Sequence, residues 1–117
     1  MRKFDDPIFL EISWSRLISF VDEAAAALVR TAFSPIIREA EDYAVVLFDA
    51  NGKSLSQSTS SVPSFIGTLP NTMRYFQAAM KEDGWHPGDV VITNDPASWS
   101  GLVMWKPICD DVMTVWT

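Results

Sequence analysis

PIFLEISWSRLISFVDEAAAALVRTA, residues 7–32, is the longest segment of the chain that is compatible with a helix. Asp6 can cap this helix, and Pro7 suits its first position because the N–H that proline lacks would have no partner there. Apolar residues at spacings of three and four form one stripe along it: Leu10, Trp14, Leu17, Val21, Ala24 and Leu28. A second apolar set lies off the stripe and predicts a helix covered on two faces: Ile12, Ile18 and Phe20. Ser34-Pro35 predicts the end of the helix, since the residue before a proline avoids the α region.

A β-hairpin is predicted after this helix. Tyr43–Asp49 consists almost entirely of residues that favour strands. Asn51-Gly52 follows, and both positions of such a turn can take positive φ. Lys53–Gln57 would return as the second strand, and the one loose stretch of the chain runs from Ser54 to Ser64.

A second helix is predicted to begin near Pro70, with Thr68 as its cap and Gly84 just after its end. Its buried face would contain four residues: Leu69, Met73, Phe76 and Met80. Pro87-Gly88-Asp89 predicts a turn. Three segments are then candidates for short strands: Val90–Thr93, Trp99–Trp105 and Val112–Trp116. The order of helix, hairpin, helix and further short strands indicates an α+β fold.

The charge composition argues against nucleic acids and membranes as partners. Nine Lys and Arg against fifteen Asp and Glu give the 117-residue chain a formal charge of −6. No basic stripe is present, so we expect no binding to nucleic acid or to a membrane surface. Charged residues interrupt residues 7–32, which excludes a transmembrane span there. The single cysteine, Cys109, fits a reducing compartment, and we expect a cytoplasmic protein.

Aromatic residues are numerous for a chain of this size, with five Trp, seven Phe and two Tyr. They either fill the core or form an interface, and the sequence leaves both interpretations open. Together with the apolar faces of the first helix, they lead us to expect a homo- or hetero-oligomer rather than a monomer.

General catalytic signatures are sparse. His86 lies beside Pro87-Gly88 and is interpreted as a solvated side chain on a turn. Cys109 precedes Asp110-Asp111, which disfavour its thiolate, so we expect an inert thiol. The five glycines are scattered and form no phosphate-binding loop.

Acidic residues gather at the ends of the predicted strands. Glu39, Glu41 and Asp42 precede the first strand, Asn94-Asp95 follow Val90–Thr93, and Asp110-Asp111 precede the last predicted strand. Carboxylates at strand ends can build metal or acid–base sites, but Asp and Asn also cap elements and form turns there. Both interpretations stay open from the residues alone.

Five blocks of residues point to a family, in this order: Asp6-Pro7-Ile8 with Leu10-Glu11-Ile12, Arg30–Glu39 with Asp42-Tyr43-Ala44, Leu47–Gly52, Val62–Pro70, and Pro87–Val90 with Thr93–Pro96. Together they resemble the hydantoinase B/oxoprolinase family. Val62–Pro70 is similar to the branch of N-methylhydantoinase-like and acetophenone-carboxylase-like subunits.

The resemblance implies ATP-dependent opening of cyclic amides such as hydantoins or 5-oxoproline, or carboxylation of ketones. Members of the family act with a hydantoinase A-type subunit that uses ATP, and they bind a divalent metal such as Mn, Zn or Mg. Because they are several hundred residues long, residues 1–117 would be the N-terminal portion of such a domain. The resemblance makes Asn94 and Asp95 candidate substrate-binding residues and Asp111 a candidate metal ligand.

This chain departs from the metal-binding motif of the family. After Asn-Asp-Pro the family has a glycine-rich turn, a His, two residues and an Asp. Asp111 could align with that Asp, but the position three before it is Ile108, which cannot bind a metal. One carboxylate does not hold a transition metal, so the site is incomplete here. Residues 96–117 are therefore interpreted as a diverged or truncated tail.

Three hypotheses follow. The first is an N-terminal portion of a hydantoinase B-type subunit that is inactive alone. The second is a non-catalytic interaction or structural subunit of such an assembly. The third is a small hydrolase that uses Asp95 and Asp111 around a hard cation.

Overall fold

A computed structural model describes residues 5–93 and 113–116 of the chain, and it confirms the α+β fold. Within these residues the elements run in the order α1 Pro7–Thr31, α2 Pro35–Arg38, β1 Val46–Phe48, β2 Ser54–Gln57, α3 Pro63–Ala79, β3 Val90–Thr93 and β4 Met113–Trp116. The pairs β1–β2 and β3–β4 form two separate antiparallel sheets. The chain divides into two compact units, residues 1–66 and 67–117.

The two ends of α1 follow the predicted signals. The Asp6 carboxylate accepts a hydrogen bond from the Ile8 N–H at 3.0 Å, and Pro7 occupies the first helical position. Ser34 is extended, with φ −77° and ψ 128°, as a residue before proline should be. Pro35 then begins the short helix α2, which we did not predict, because a proline that ends one helix also suits the first position of the next.

The buried face of α1 is shorter than the predicted stripe. Val21 and Ala25 are buried, whereas Leu10 and Trp14 near the start of the stripe are 47% and 48% exposed. Both strands of the hairpin pack against α1. The four-residue strand β2 spans roughly 13 Å and the 25-residue helix roughly 37 Å. The hairpin therefore covers only the middle of the helix.

The described residues cover α1 on one side only, so nothing among them covers the second face that the sequence predicts. Of the second apolar set, Ile12 and Phe20 are exposed and Ile18 is half-buried, and Ala25 rather than Ala24 takes the core position beside Val21. The packed elements reach α1 from one side, so the apolar residues of the other side stay at the surface.

The predicted hairpin forms, with a three-residue loop. The Gly52 N–H donates to the Asp49 carbonyl at 2.9 Å, and the Asp49 N–H donates to the Lys53 carbonyl at 2.8 Å. Gly52 has a φ of 76°, while Asn51 keeps negative φ, contrary to expectation. This pattern is a type I turn followed by one left-handed residue. The Asp49 carboxylate favours it by accepting from the Asn51 N–H at 2.9 Å.

The strands are shorter than predicted because the flanking backbone pairs outside the sheet ladder. The Ser58 N–H donates to the Val45 carbonyl at 2.8 Å, and the Val62 N–H donates to the Tyr43 carbonyl at 3.1 Å. The segment that we expected to be loose is thus held by hydrogen bonds to the chain that precedes β1.

Helix α3 begins at Pro63, seven residues before the predicted start near Pro70. Pro63 meets the same requirement for the first helical position as Pro70, and Pro70 lies inside the helix. Thr68, the predicted cap, is instead a buried interior residue whose carbonyl accepts from the Thr72 hydroxyl at 3.1 Å. The prediction treated Pro70 as a boundary, but an interior proline costs one backbone hydrogen bond and does not by itself end a helix.

The buried face of α3 is largely as predicted, since Leu69, Met73 and Phe76 are buried. The helix ends at Ala79, and the Gly84 N–H then donates to the Met80 carbonyl at 2.7 Å. Gly84 has a φ of 73°, which is the left-handed conformation that glycine favours after a helix.

The turn at Pro87-Gly88 leads directly into β3. The Asp89 N–H donates to the His86 carbonyl at 3.0 Å, and Gly88 has a φ of 95°. This is a type II turn, with proline and glycine at its central positions. Strand β3 has the predicted bounds, and β4 lies within the predicted segment 112–116. The candidate strand at residues 99–105 lies outside the described residues.

Candidate functional site

The three predicted site residues Asn94, Asp95 and Asp111 lie outside the described residues, as does Cys109. The structure does describe the strands on either side of them. Strand β3 ends at Thr93, the residue before Asn94, and β4 begins at Met113, two residues after Asp111. Thr93 and Met113 are partners in the antiparallel register. The two ends of the segment 94–112 therefore start from the same end of one strand pair.

The turn before β3 holds the single histidine. The His86 side chain is 72% exposed, which confirms its interpretation as a solvated residue on a turn. Its Nδ1 lies 3.6 Å from Asp89 Oδ2, and its backbone N–H donates to the same oxygen at 2.8 Å. The Asp89 carboxylate thus closes this turn together with the backbone hydrogen bond from Asp89 to His86.

The acidic residues before β1 support the turn interpretation. Glu39, Glu41 and Asp42 are all exposed, and Glu41 has a φ of 52° in the left-handed region. The Asp42 N–H donates to the Ile36 carbonyl at 3.2 Å, so the backbone folds back onto helix α2 here. These residues build the connection between α2 and β1.

The family's divalent metal would need several converging ligands. Among residues 5–93 and 113–116, no three His, Cys, Asp or Glu side chains come close enough to share an ion. The His86 and Asp89 side chains offer two groups on one turn. The described residues therefore do not fit a metal site, and no chemical step is assigned to a metal in this part of the chain.

Asp49 is a structural carboxylate of the hairpin turn, and the sequence indicated it only through its place before Asn51-Gly52. Its Oδ1 accepts from the backbone N–H groups of Lys53 at 2.8 Å and Asn51 at 2.9 Å. These hydrogen bonds, the one from Lys53 foremost, hold the pKa of Asp49 below its ordinary value.

A second carboxylate joins α1 to the segment after β2. Asp22 Oδ1 accepts from the Thr59 N–H at 2.8 Å and from the Thr59 hydroxyl at 3.1 Å. One turn earlier on α1, the Leu17 carbonyl accepts from the Ser56 hydroxyl at 3.2 Å. Sequence reasoning missed this connection because nothing in the local pattern links residues that lie 37 positions apart.

Hydroxyl groups fix the rest of this segment. The Tyr43 and Ser60 hydroxyls are 2.7 Å apart, and the buried Ser58 hydroxyl is hydrogen-bonded to that of Ser61. Each pair consists of two hydroxyl groups and includes no base that could activate one of them. These hydrogen bonds therefore hold the backbone in place. Serine hydroxyl groups thus help to hold the segment that we expected to be loose.

A shallow cavity of about 420 Å³ lies along α3. Its lining among the described residues is Asn71, Arg74, Tyr75 and Ala78. The Arg74 guanidinium donates to the Asn71 side-chain oxygen at 3.4 Å. A guanidinium beside an amide can bind a carboxylate group, although both groups here already contact each other.

Comparison with known proteins identifies the family. The model of the hydantoinase B/oxoprolinase family matches residues 6–117 of the chain. The chain belongs to the hydantoinase B/oxoprolinase family. This confirms the resemblance that the five sequence blocks carry.

Several relatives in this family, including the following two, have names that describe an activity. The putative D-/L-hydantoinase B-type subunit of a Pseudomonas species is 32% identical over 93 residues, which are 78% of this chain and 16% of that protein. The 5-oxoprolinase of Saccharomyces cerevisiae is 34% identical over 91 residues, which are 78% of this chain and 7% of that protein. This chain thus spans a small part of the length of these relatives. No solved structure matches it.

Helix α1 is long enough to raise the question of a membrane. None of the helices in the described part of the chain combines the length and apolar character that a bilayer crossing requires.

Proposed function

We propose that residues 1–117 form the N-terminal portion of a hydantoinase B-type subunit and are inactive alone. The whole protein would take part in ATP-dependent opening of a cyclic amide, such as a hydantoin or 5-oxoproline, or in carboxylation of a ketone. The observation that carries this proposal is the family match over residues 6–117. The names of the two relatives, a hydantoinase B-type subunit and a 5-oxoprolinase, support the class of cyclic amides.

In this proposal Asn94 and Asp95 contact the substrate, and Asp111 supplies one ligand to a divalent metal, Mn, Zn or Mg. The register of β3 and β4 supports it, because Thr93 and Met113 are opposite each other. The two residues that flank the segment with all three candidates, Thr93 and Met113, are therefore neighbours in one strand pair. Ile108 cannot bind a metal, so the remaining ligands would come from other parts of the polypeptide. A bound metal would polarise a carbonyl group of the substrate.

We further propose that a hydantoinase A-type subunit supplies the ATP-using site and that the assembly is cytoplasmic. The lack of a glycine-rich phosphate loop in the sequence supports the first point, and the single cysteine supports the second. The segment Val62–Pro70 supports the branch of N-methylhydantoinase-like and ketone-carboxylase-like subunits.

A chimera tests the proposal. Residues 6–117, the range that the family model matches, replace the corresponding segment of the Pseudomonas relative, and the chimera is co-expressed with a hydantoinase A-type subunit. We expect ATP-dependent hydrolysis of hydantoin or 5-oxoproline at a rate at least tenfold above that of the relative without the segment. Asp111→Ala should abolish the activity, whereas Asp110→Ala, which removes the neighbouring carboxylate, should retain it.

Two results would contradict the proposal. A folded chimera that is inactive while the parent protein is active would favour the second hypothesis, a non-catalytic interaction or structural role. Turnover by the isolated chain with Mn²⁺ or Mg²⁺, lost on Asp111→Ala, would favour the small hydrolase.

A further inference from the structure

The start of α1 carries large apolar side chains that the described fold leaves in contact with solvent. Four of them define the apolar end of α1, with exposed fractions of 69%, 47%, 52% and 48%: Ile8, Leu10, Ile12 and Trp14. The hairpin packs against the middle of α1 and leaves these four side chains exposed. Only Glu11 is charged between them.

These four side chains lie on two opposite sides of the helix. Successive residues of an α-helix are rotated by about 100°, so Ile8 and Ile12 share one side. Leu10 and Trp14 share another side, which is rotated by roughly 160° from the first. A helix that is apolar on opposite sides is stable when it is surrounded, because a contact on one side leaves the other in water.

A second copy of the chain is a poor match to this arrangement. Two helices that pack side by side cover one stripe of each partner. A groove with two apolar walls covers both sides at once. In the relatives, most of the polypeptide lies outside the aligned segment, which makes up only 16% and 7% of their chains. That remainder is long enough to form such a groove.

We infer that the apolar end of α1 inserts into an apolar groove formed by the part of a hydantoinase B-type polypeptide that lies beyond the aligned segment. The inference rests on the proposed function, because it takes its partner from the same polypeptide. It adds an assembly role for α1: this helix end fixes the N-terminal portion to the remainder of the protein. The apolar side chains then need no cover from the hairpin.

Cysteine labelling in the chimera described above tests this inference. Ile12→Cys is introduced at the apolar end, and Phe20→Cys serves as the matched control because Phe20 is 61% exposed on the same helix. Both are made with Cys109→Ser. The rate of maleimide labelling at each position is read by mass spectrometry of the labelled peptide, which needs no enzymatic activity.

In the isolated chain at low concentration, we expect both introduced thiols to react at similar rates. In the chimera, labelling at position 12 should slow at least tenfold while labelling at position 20 changes less than threefold. Equal rates at position 12 in the chain and in the chimera would overturn the inference, as would equal slowing at both positions. Protection at position 12 that grows with the concentration of the isolated chain would assign the surface to a second copy instead.

The labelling result tests the docking of α1 independently of the activity assay, which tests the proposed function. A chimera that is inactive but protected at position 12 would reject the function and keep the docking of α1. An active chimera with a freely labelled position 12 would do the reverse.

Discussion

At the level of single residues, Asp49 couples the stability of the hairpin to pH. Its carboxylate accepts two backbone hydrogen bonds, which lower its pKa in the folded chain. A lowered folded pKa means that the carboxylate stabilises the fold fully above its unfolded pKa of about 3.9. This contribution is then lost as the pH falls through the folded pKa.

We therefore expect Asp49→Asn to lower the urea midpoint of the full chain at pH 7, with a difference from the wild type that shrinks in acid. Urea unfolding at pH 7 and at decreasing pH measures this. Asp83→Asn, a change at an exposed carboxylate outside the hairpin, is the control and should leave the midpoint unchanged. A difference at pH 7 that persists unchanged in strong acid would contradict the role of the charge.

Glu41 is the second residue with a specific consequence, because its φ of 52° is unfavourable for a side chain with a Cβ. Glycine removes that strain, whereas a β-branched residue increases it. We expect Glu41→Gly to be more stable than Glu41→Val by about 1–2 kcal/mol in unfolding free energy. Chemical denaturation of both variants checks the order, and equal stabilities would show that this connection relaxes freely.

At the level of elements, the Asp22–Thr59 contact ties α1 to the segment between β2 and α3. Removing a carboxylate that accepts two hydrogen bonds should cost more than removing one of its donors. We expect Asp22→Ala to lower the unfolding free energy by about 1–2 kcal/mol and Thr59→Val by about 0.5–1 kcal/mol. A double-mutant cycle measures the coupling between the Thr59 hydroxyl and the carboxylate, and strictly additive effects would mean that this hydroxyl contributes no energy to the contact.

Helix α3 offers a test of its interior proline. Pro70 lacks the N–H that would donate to the carbonyl four residues earlier, whereas Pro63 occupies the first position, where no such bond is lost. We expect Pro70→Ala to raise the unfolding free energy by about 1 kcal/mol or more and to increase helical circular dichroism. Pro63→Ala should have little effect on either. Destabilisation by Pro70→Ala would indicate that the proline ring contributes packing that outweighs the hydrogen bond.

At the level of the whole molecule, the sequence predicted what depends on neighbouring residues. The Asp6 cap, the type II turn at Gly88 and the hairpin after Asp49 all follow from residues within a few positions of one another. The extent of burial along α1 could not be predicted, because it depends on the length of the strands that pack against it. The Asp22–Thr59 contact likewise joins distant positions.

Only the resemblance to the family predicted the residues of the candidate site. Asn94, Asp95 and Asp111 came from that pattern, and local sequence gave no sign that the strands on either side of them would pair. The pairing of β3 with β4 is a non-local property, since Val90 and Trp116 are its outer partners.

The two sheets differ in how much chain each must close, and this sets an order of folding. Residues 49–53 lie between the strands β1 and β2, whereas residues 94–112 lie between β3 and β4. In the unfolded chain the longer closure costs about 1.2 kcal/mol more in entropy, roughly sevenfold in probability. We expect the Val46–Phe48 amides to gain protection from hydrogen exchange before those of Val90–Thr93 when refolding is followed by pulse labelling. A chain that is still being synthesised would thus hold a formed hairpin beside α1 before the second sheet closes.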